Sequence, residues 1–214
     1  MRTRNEVIVG GRIVYIDDKS ERRTIFGVVA ITPLKGRTNE TRESFVIFTY
    51  PGKLPEDIQK NDRVLVNGHV ITPERISPEG KRERATTFIA DSIKKQESEL
   101  EAAFGIKGSS YPMDVNCARF CGTVVTSFQS KNDKWGHLLI QVDEDRIDRT
   151  ANRILLDYPK LRRLPDFEYK GGDRVFVVAT INTAKKDVDG KARTFKDFII
   201  DDIKKISVEE QNDP

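Results

Sequence analysis

Much of this chain occurs twice, and that constrains it more than any other feature. Asn5-Glu-Val-Ile-Val-Gly-Gly-Arg-Ile-Val14 corresponds to Asn116-Cys-Ala-Arg-Phe-Cys-Gly-Thr-Val-Val125 at an offset of 111. Asp62-Arg-Val-Leu-Val66 corresponds to Asp173-Arg-Val-Phe-Val177 at the same offset. Phe88-Ile-Ala-Asp-Ser-Ile-Lys-Lys95 matches Phe198-Ile-Ile-Asp-Asp-Ile-Lys-Lys205 at an offset of 110, with six of eight residues identical. Between them, Tyr50-Pro51 and Leu54-Pro55 are echoed by Tyr158-Pro159 and Leu164-Pro165. The period is too long for a stacked solenoid unit, so each copy is read as a domain. The 214 residues then divide into a first domain (1–95), a linker with a short helix (96–114), a second domain (115–206) and a loose polar tail (207–214).

Inside each copy the pattern is all-β. The first reads as strands near 6–16, 24–32, 43–50, 62–72 and 84–93, the second near 116–127, 134–142, 151–158, 173–183 and 194–203. These segments are rich in Val, Ile, Phe and Thr and several alternate, as half-buried strands do. Turn residues separate them, including Pro78-Glu-Gly80 and Asp187-Val-Asp-Gly190, which sit in matching hairpins between the fourth and fifth strands. Residues 55–60 and 163–170 read as one helical turn or plain loop. Five strands in about 90 residues with a long last hairpin fit two tandem five-stranded oligonucleotide-binding (OB) barrels. Gly10, Gly11 and Gly122 would relieve crowding where the first strand bends. Paired small sandwiches or SH3-like barrels remain the rival architecture. In the linker, Leu100, Ala103 and Phe104 form one apolar stripe for a packed helix.

Other classes drop out on composition. No run approaches 18 apolar residues, which excludes a membrane-spanning helix. The opening residues do not read as a signal peptide, so a cytoplasmic location is expected. Cys117 and Cys121 lie four apart on an expected strand, roughly 13 Å along it and too far for a disulfide. Two histidines and no close cysteine pair leave no zinc site. Acidic residues such as Asp17-Asp18 and Asp143-Glu-Asp145 lie in turns, without a nucleophile–base arrangement, metal box or phosphate loop. A non-enzymatic protein without cofactor or metal is the expectation.

The net charge of +3 hides an uneven distribution. Residues 1–95 carry 18 basic and 13 acidic side chains, 96–111 carry 1 and 3, and 112–214 carry 18 of each. The first domain therefore has the stronger case for a polyanion. Single-stranded nucleic acid needs aromatic faces for bases and nearby cations for phosphates. In the first copy the candidates are Arg12 on the first strand, Arg42, Phe45, Phe48 and Tyr50 on or near the third, and Lys81, Arg82 and Arg84 on the last hairpin. In the second copy Phe128, Lys131, Lys134 and Trp135 flank the first turn, and Arg153 and Tyr158 lie on the third strand. Lys185, Lys186, Lys191 and Arg193 decorate the second hairpin. Basic residues on both hairpins are the best paired signal.

Several candidates also have a plain packing role. Phe45 and Phe48 occupy opposite faces of one strand, so at least one belongs to the core. Phe26, Phe88, Phe176 and Phe198 read as core aromatics. Trp135 stands between stacking platform and structural anchor. Tyr50 and Tyr158 share a strand-end position where packing is favoured. His69 and His137 occupy unrelated positions and read as incidental.

Asn5-Glu-Val-Ile-Val-Gly-Gly-Arg-Ile, Arg42-Glu-Ser-Phe-Val-Ile-Phe, Lys60-Asn-Asp-Arg-Val-Leu-Val-Asn-Gly-His-Val70 and Arg84-Ala-Thr-Thr-Phe-Ile-Ala together resemble the bacterial single-stranded DNA-binding protein family. That family opens on an Asn-x-Val-x-Leu-x-Gly-Arg strand, followed by a Lys-Gly-x-x-Val-x-Val-x-Gly strand and a long basic hairpin. The resemblance covers most of 4–95 and, more faintly, 115–206, where Gly68 has become Ala179 and the Gly-Arg pair is Gly122-Thr123. It implies binding of single-stranded DNA without sequence preference, in replication or recombination. Family members carry one barrel per chain, form tetramers, and end in an acidic tail finishing Asp-Ile-Pro-Phe that recruits replication proteins. Here two barrels are fused and the chain ends Glu-Glu-Gln-Asn-Asp-Pro214, so a monomer or homodimer without that recruiting tip is expected. Such a form would suit a phage or mobile element. RNA remains open as a ligand, since such barrels serve both nucleic acids. The alternative is a protein-interaction or assembly module, motivated by the neutral second copy.

Overall fold

A computed structural model describes residues 4–34, 40–76, 80, 82–96, 114–130, 134–142, 152–159, 169–188 and 191–206, with side chains left aside at 75, 82–83, 184–188 and 191–195. The expected linker helix, the tail, Lys81, Lys131 and most of 163–170 lie outside these residues. The chain divides into two compact units, one of Val7–His69 with Thr87–Asn116, the other of Met1–Glu6, Val70–Thr86 and Cys117–Pro214.

The first barrel is built from β1 (Asn5–Ser20), β2 (Arg23–Pro33), β3 (Thr41–Pro51), β4 (Arg63–Ile71) and a last strand, β7 (Thr87–Lys95). A separate ribbon, β5 (Glu74–Ile76) with β6 (Arg82–Arg84), lies between β4 and β7 in sequence. The strands run β1-β2-β3-β7-β4, and β4 pairs back on β1 to close the barrel. All these pairs whose register is resolved are antiparallel except β3–β7, which is parallel with Phe48 beside Phe88. Alternate residues of each strand enter the core. Val9, Ile13, Val28, Val46, Val64 and Val66 are fully buried around Phe26, Phe48 and Phe88. Phe48 stacks on Phe26 at 5.6 Å and meets Phe88 at 5.8 Å. Burying each such side chain contributes about 1.5–3 kcal/mol.

The second barrel repeats the plan with β8 (Val115–Gln129), β9 (Trp135–Val142), β10 (Arg153–Pro159), β11 (Arg174–Val188) and β12 (Lys191–Lys205). Its order is β8-β9-β10-β12-β11, closed by β11 on β8. The parallel pair is β10–β12, with Leu156 beside Phe198, the repeat positions of Phe48 and Phe88. Phe120 meets Phe198 edge to face at 5.2 Å, among Leu138, Ile140, Val175, Val177 and Ile200. Two closed barrels of this topology are tandem OB folds.

Details outside the core recur too. Residues 55–60 form a turn and loop, with Ile58 N–H bonded to the Pro55 carbonyl at 3.0 Å. Before β4, Asn61 takes φ +77°; before β11, Gly172 takes φ +94° at the matching position. Asn is among the residues that tolerate this left-handed conformation. The carboxylates that follow accept backbone N–H bonds at 2.8 Å, Asp62 from Gln59 and Asp173 from Lys170. Each also pairs with a lysine of the closing strand, Lys95 at 3.1 Å and Lys205 at 2.9 Å.

The last hairpins differ. The β11–β12 ladder continues to Val188 opposite Lys191. In the first copy Pro73 stands where the second has Ala184, and Pro lacks the N–H that an unbroken ladder requires. There the ribbon restarts as β5–β6.

Within the unit that contains Val70–Thr86, two asparagines tie down Val70 and Thr72. Asn5 donates to the Val70 carbonyl at 2.7 Å and accepts from its N–H at 3.0 Å. Buried Asn152 accepts the Thr72 N–H at 2.8 Å.

Candidate nucleic-acid interface

Each barrel presents an outer face on its first three strands. A bulge shapes both faces. The register of β1 on β2 shifts between Ile13 and Tyr15, and that of β8 on β9 shifts between Val124 and Thr126. An extra residue, Val14 or Val125, turns the rest of the strand over. Ile13 and Val124 are therefore buried, whereas Tyr15 and Phe128, two and four residues on, are 44% and 47% exposed.

On the first barrel, Tyr15 lies opposite Gly27, which lies opposite Ile47. Phe45 folds across the glycine, so close that a Cβ on Gly27 would sit 2.4 Å from its ring. Phe45 is half-buried and Arg12 is exposed in the next row, opposite Val29. The Tyr15 hydroxyl reaches Asp17 at 3.4 Å; burial, then the Asp17 charge, raises its pKa.

On the second barrel, Phe128, His137 and Asp157 form one row across β8, β9 and β10. Phe128 stacks on the His137 imidazole with centroids 4.9 Å apart, and His137 Nδ1 lies 2.7 Å from Asp157 Oδ1. Trp135 is 36% exposed at the start of β9, opposite Pro159. Lys134 beside it and Arg153 on β10 are exposed. The half-buried Tyr158 ring covers Gly136, where a Cβ would fall 1.8 Å from Cζ, and burial raises the phenol pKa. Tyr158 is thus packed at the strand end, as its position before Pro159 suggests.

Other expected residues fare differently. Phe48 is fully buried between Phe26 and Phe88, so it offers no face to a ligand; the outward aromatic of β3 is Phe45. Arg42 and Tyr50 are half-buried on β3. Arg84 is exposed but bonded to Glu74 across the ribbon at 2.8 Å. The backbones of Arg82, Lys185, Lys186, Lys191 and Arg193 lie on the hairpin strands. Phe26, Phe88 and Phe198 are core, but Phe176 is not: it is half-buried beneath Arg4 and Lys204, each 6.0 Å from its ring.

Two residues of these faces, Tyr15 and His137, were not among the expected contacts, whereas Phe45 was weighed with Phe48 on the third strand. His69 also has a defined role. It is buried and bonds Asp91 at 2.9 Å, while in the second copy Thr180 donates to Asp201 at 2.5 Å from the same repeat positions. Cys117 and Cys121 are not joined in a disulfide, and burial foremost raises the pKa of Cys117. Among the described residues, no group of three or more His, Cys, Asp or Glu could hold a metal ion, and no helix is long and apolar enough to cross a membrane.

No protein-family model and no curated protein matches the chain. Solved structures do. A deletion mutant of the single-stranded DNA binding protein from Thermus aquaticus is similar over 100% of this chain and 98% of that one, with a TM-score of 0.68 and 12% identity. The wild-type form of that protein is similar over 97% and 95%, with a TM-score of 0.65 and 12% identity. The shared property is the fold, two OB barrels in one chain.

Proposed function

We propose that this chain binds single-stranded DNA without sequence preference, through both barrels, and coats strands in replication or recombination as a non-catalytic cytoplasmic protein. The observation that carries the reading is the placement of exposed or half-exposed rings, Tyr15 and Phe45 on one barrel, Phe128 and Trp135 on the other, on outer strands where Arg12, Lys134 and Arg153 are exposed as well. Stacking on such rings tolerates any base, and nearby cations follow the phosphates. OB barrels use this face and their last hairpin for oligonucleotides. The hairpin cations Lys81, Arg82, Arg84, Lys185, Lys186, Lys191 and Arg193 extend the phosphate track in this reading. Likeness to a solved single-stranded DNA-binding protein along nearly the whole chain supports it further.

The test is titration with oligo-dT at two salt concentrations, following the fluorescence of the single tryptophan, Trp135. Binding quenches the signal and weakens with salt as counterions are released. No association at low salt, by fluorescence or gel shift, rejects the proposal and leaves a protein-interaction module in its place.

A further inference from the structure

The row Phe128–His137–Asp157 has an internal order that a chance surface cluster lacks. Phe128 is the outer plate, 47% exposed. The His137 side chain beneath it retains 21% of its surface, and the Asp157 side chain 19%. The rings are 27° from parallel, so the imidazole backs the phenyl face to face. The carboxylate contact at Nδ1 fixes the ring's rotation and its tautomer, because a carboxylate accepts and Nδ1 must then carry the proton. The three residues stand directly opposite one another on adjacent strands, where side chains couple most strongly. In the first barrel the same row reads Asp17–Ile25–Thr49, without a ring.

Resting on the single-stranded DNA reading above, we propose that Phe128 is a base-stacking subsite peculiar to the second barrel, with His137 and Asp157 as its positioning residues. A nucleobase laid on the exposed side of Phe128 extends a stack whose inner layer is already ordered. The base contact belongs to Phe128 alone. His137 acts by holding that ring flat, and Asp157 acts by holding His137.

The experiment compares oligo-dT with an abasic oligomer of the same length, which keeps the phosphates and lacks the bases. The proteins are the full chain and its Phe128→Ala, His137→Ala, Asp157→Ala and Asp157→Asn variants, with circular dichroism as the check on folding. Phe128→Ala is expected to weaken oligo-dT binding roughly fivefold to a hundredfold, the range of a lost base–aromatic stack. His137→Ala and Asp157→Ala are expected to weaken it about fivefold, and Asp157→Asn, which keeps an acceptor for Nδ1, to restore most of it. All variants keep the wild-type affinity for the abasic oligomer. Unchanged oligo-dT affinity in Phe128→Ala overturns the subsite, as does an equal loss on both oligomers. Wild-type protein that binds both oligomers equally also overturns it, while leaving the phosphate-tracking part of the proposed function standing. Wild-type protein that binds neither overturns both readings. Loss in Phe128→Ala with none in His137→Ala overturns the positioning roles.

Discussion

Gly11 and Gly122 occupy the same repeat position, where the first strand of each barrel crosses close to the second. A Cβ on Gly11 would lie 2.1 Å from the Val29 carbonyl oxygen and 2.8 Å from its carbon. On Gly122 it would lie 2.5 Å from the Gln141 oxygen. Carbon and oxygen approach to about 3.3 Å, so the backbones must part by about 1 Å in Gly11→Ala and less in Gly122→Ala. Neither partner can rotate away, because both are backbone atoms of a closed barrel. Overpacking of this kind costs about 1–3 kcal/mol, and the lower entropy of the unfolded alanine chain offsets about 0.4–1 kcal/mol. Net losses of about 2 kcal/mol for Gly11→Ala and about 1 kcal/mol for Gly122→Ala are expected. Urea unfolding followed by far-UV circular dichroism reads both variants. Trp135, the single tryptophan, shares a compact unit with Gly122 and reads that variant by fluorescence as well. The reasoning fails if either alanine variant is as stable as the wild type, or if Gly122→Ala costs more than Gly11→Ala.

Phe48→Ala removes the ring between Phe26 and Phe88, so a loss of about 3–5 kcal/mol is expected; oligo-dT affinity, measured where the variant is still folded, should be unchanged. Glu74→Gln removes a charge that Arg84 meets at 2.8 Å, and stronger oligo-dT binding, by about twofold at low salt, is expected from gel shifts. The Asp173 carboxyl is held below its ordinary value, first by the Lys170 N–H and then by Lys205. A folded pKa below the unfolded one stabilises above the unfolded value, and that contribution is lost as pH falls through the folded value. Asp173→Asn should therefore unfold at lower urea than the wild type near neutral pH, with the gap closing in acid; a gap that widens in acid contradicts the assignment.

The strands were legible because their alternation is local and is written twice. Leu156 and Phe48 hold the same place in their barrels although one is aliphatic, since each pairs with the Phe of the closing strand. The left-handed turn was not anticipated. Asn61 and Gly172 differ in type, and what they share is a backbone angle that composition does not display. The interruption of the first hairpin was within reach, since Pro73 stands in a stretch that otherwise matches an unbroken strand.

The candidate faces were less legible, for reasons of register. Phe45 and Phe48 had to face opposite ways, but the choice between them is made by β7, forty residues downstream, which brings Phe88 beside Phe48 and draws that ring inward. Tyr15 and Phe128 depend on a local irregularity. Counting by two from buried Ile13 puts Tyr15 in the core, and counting by two from buried Val124 puts Phe128 there. The bulges at Val14 and Val125 reverse both assignments, because one inserted residue moves all that follow to the other face. The same bulge thus brings different chemistry outward in the two copies: in one a tyrosine beside a glycine floor, in the other a phenylalanine on an imidazole. The two copies share the core plan and the bulge and differ in the residues they turn outward. If the two faces hold bases, they do so with different rings in different rows, and one substitution at each face should separate their contributions.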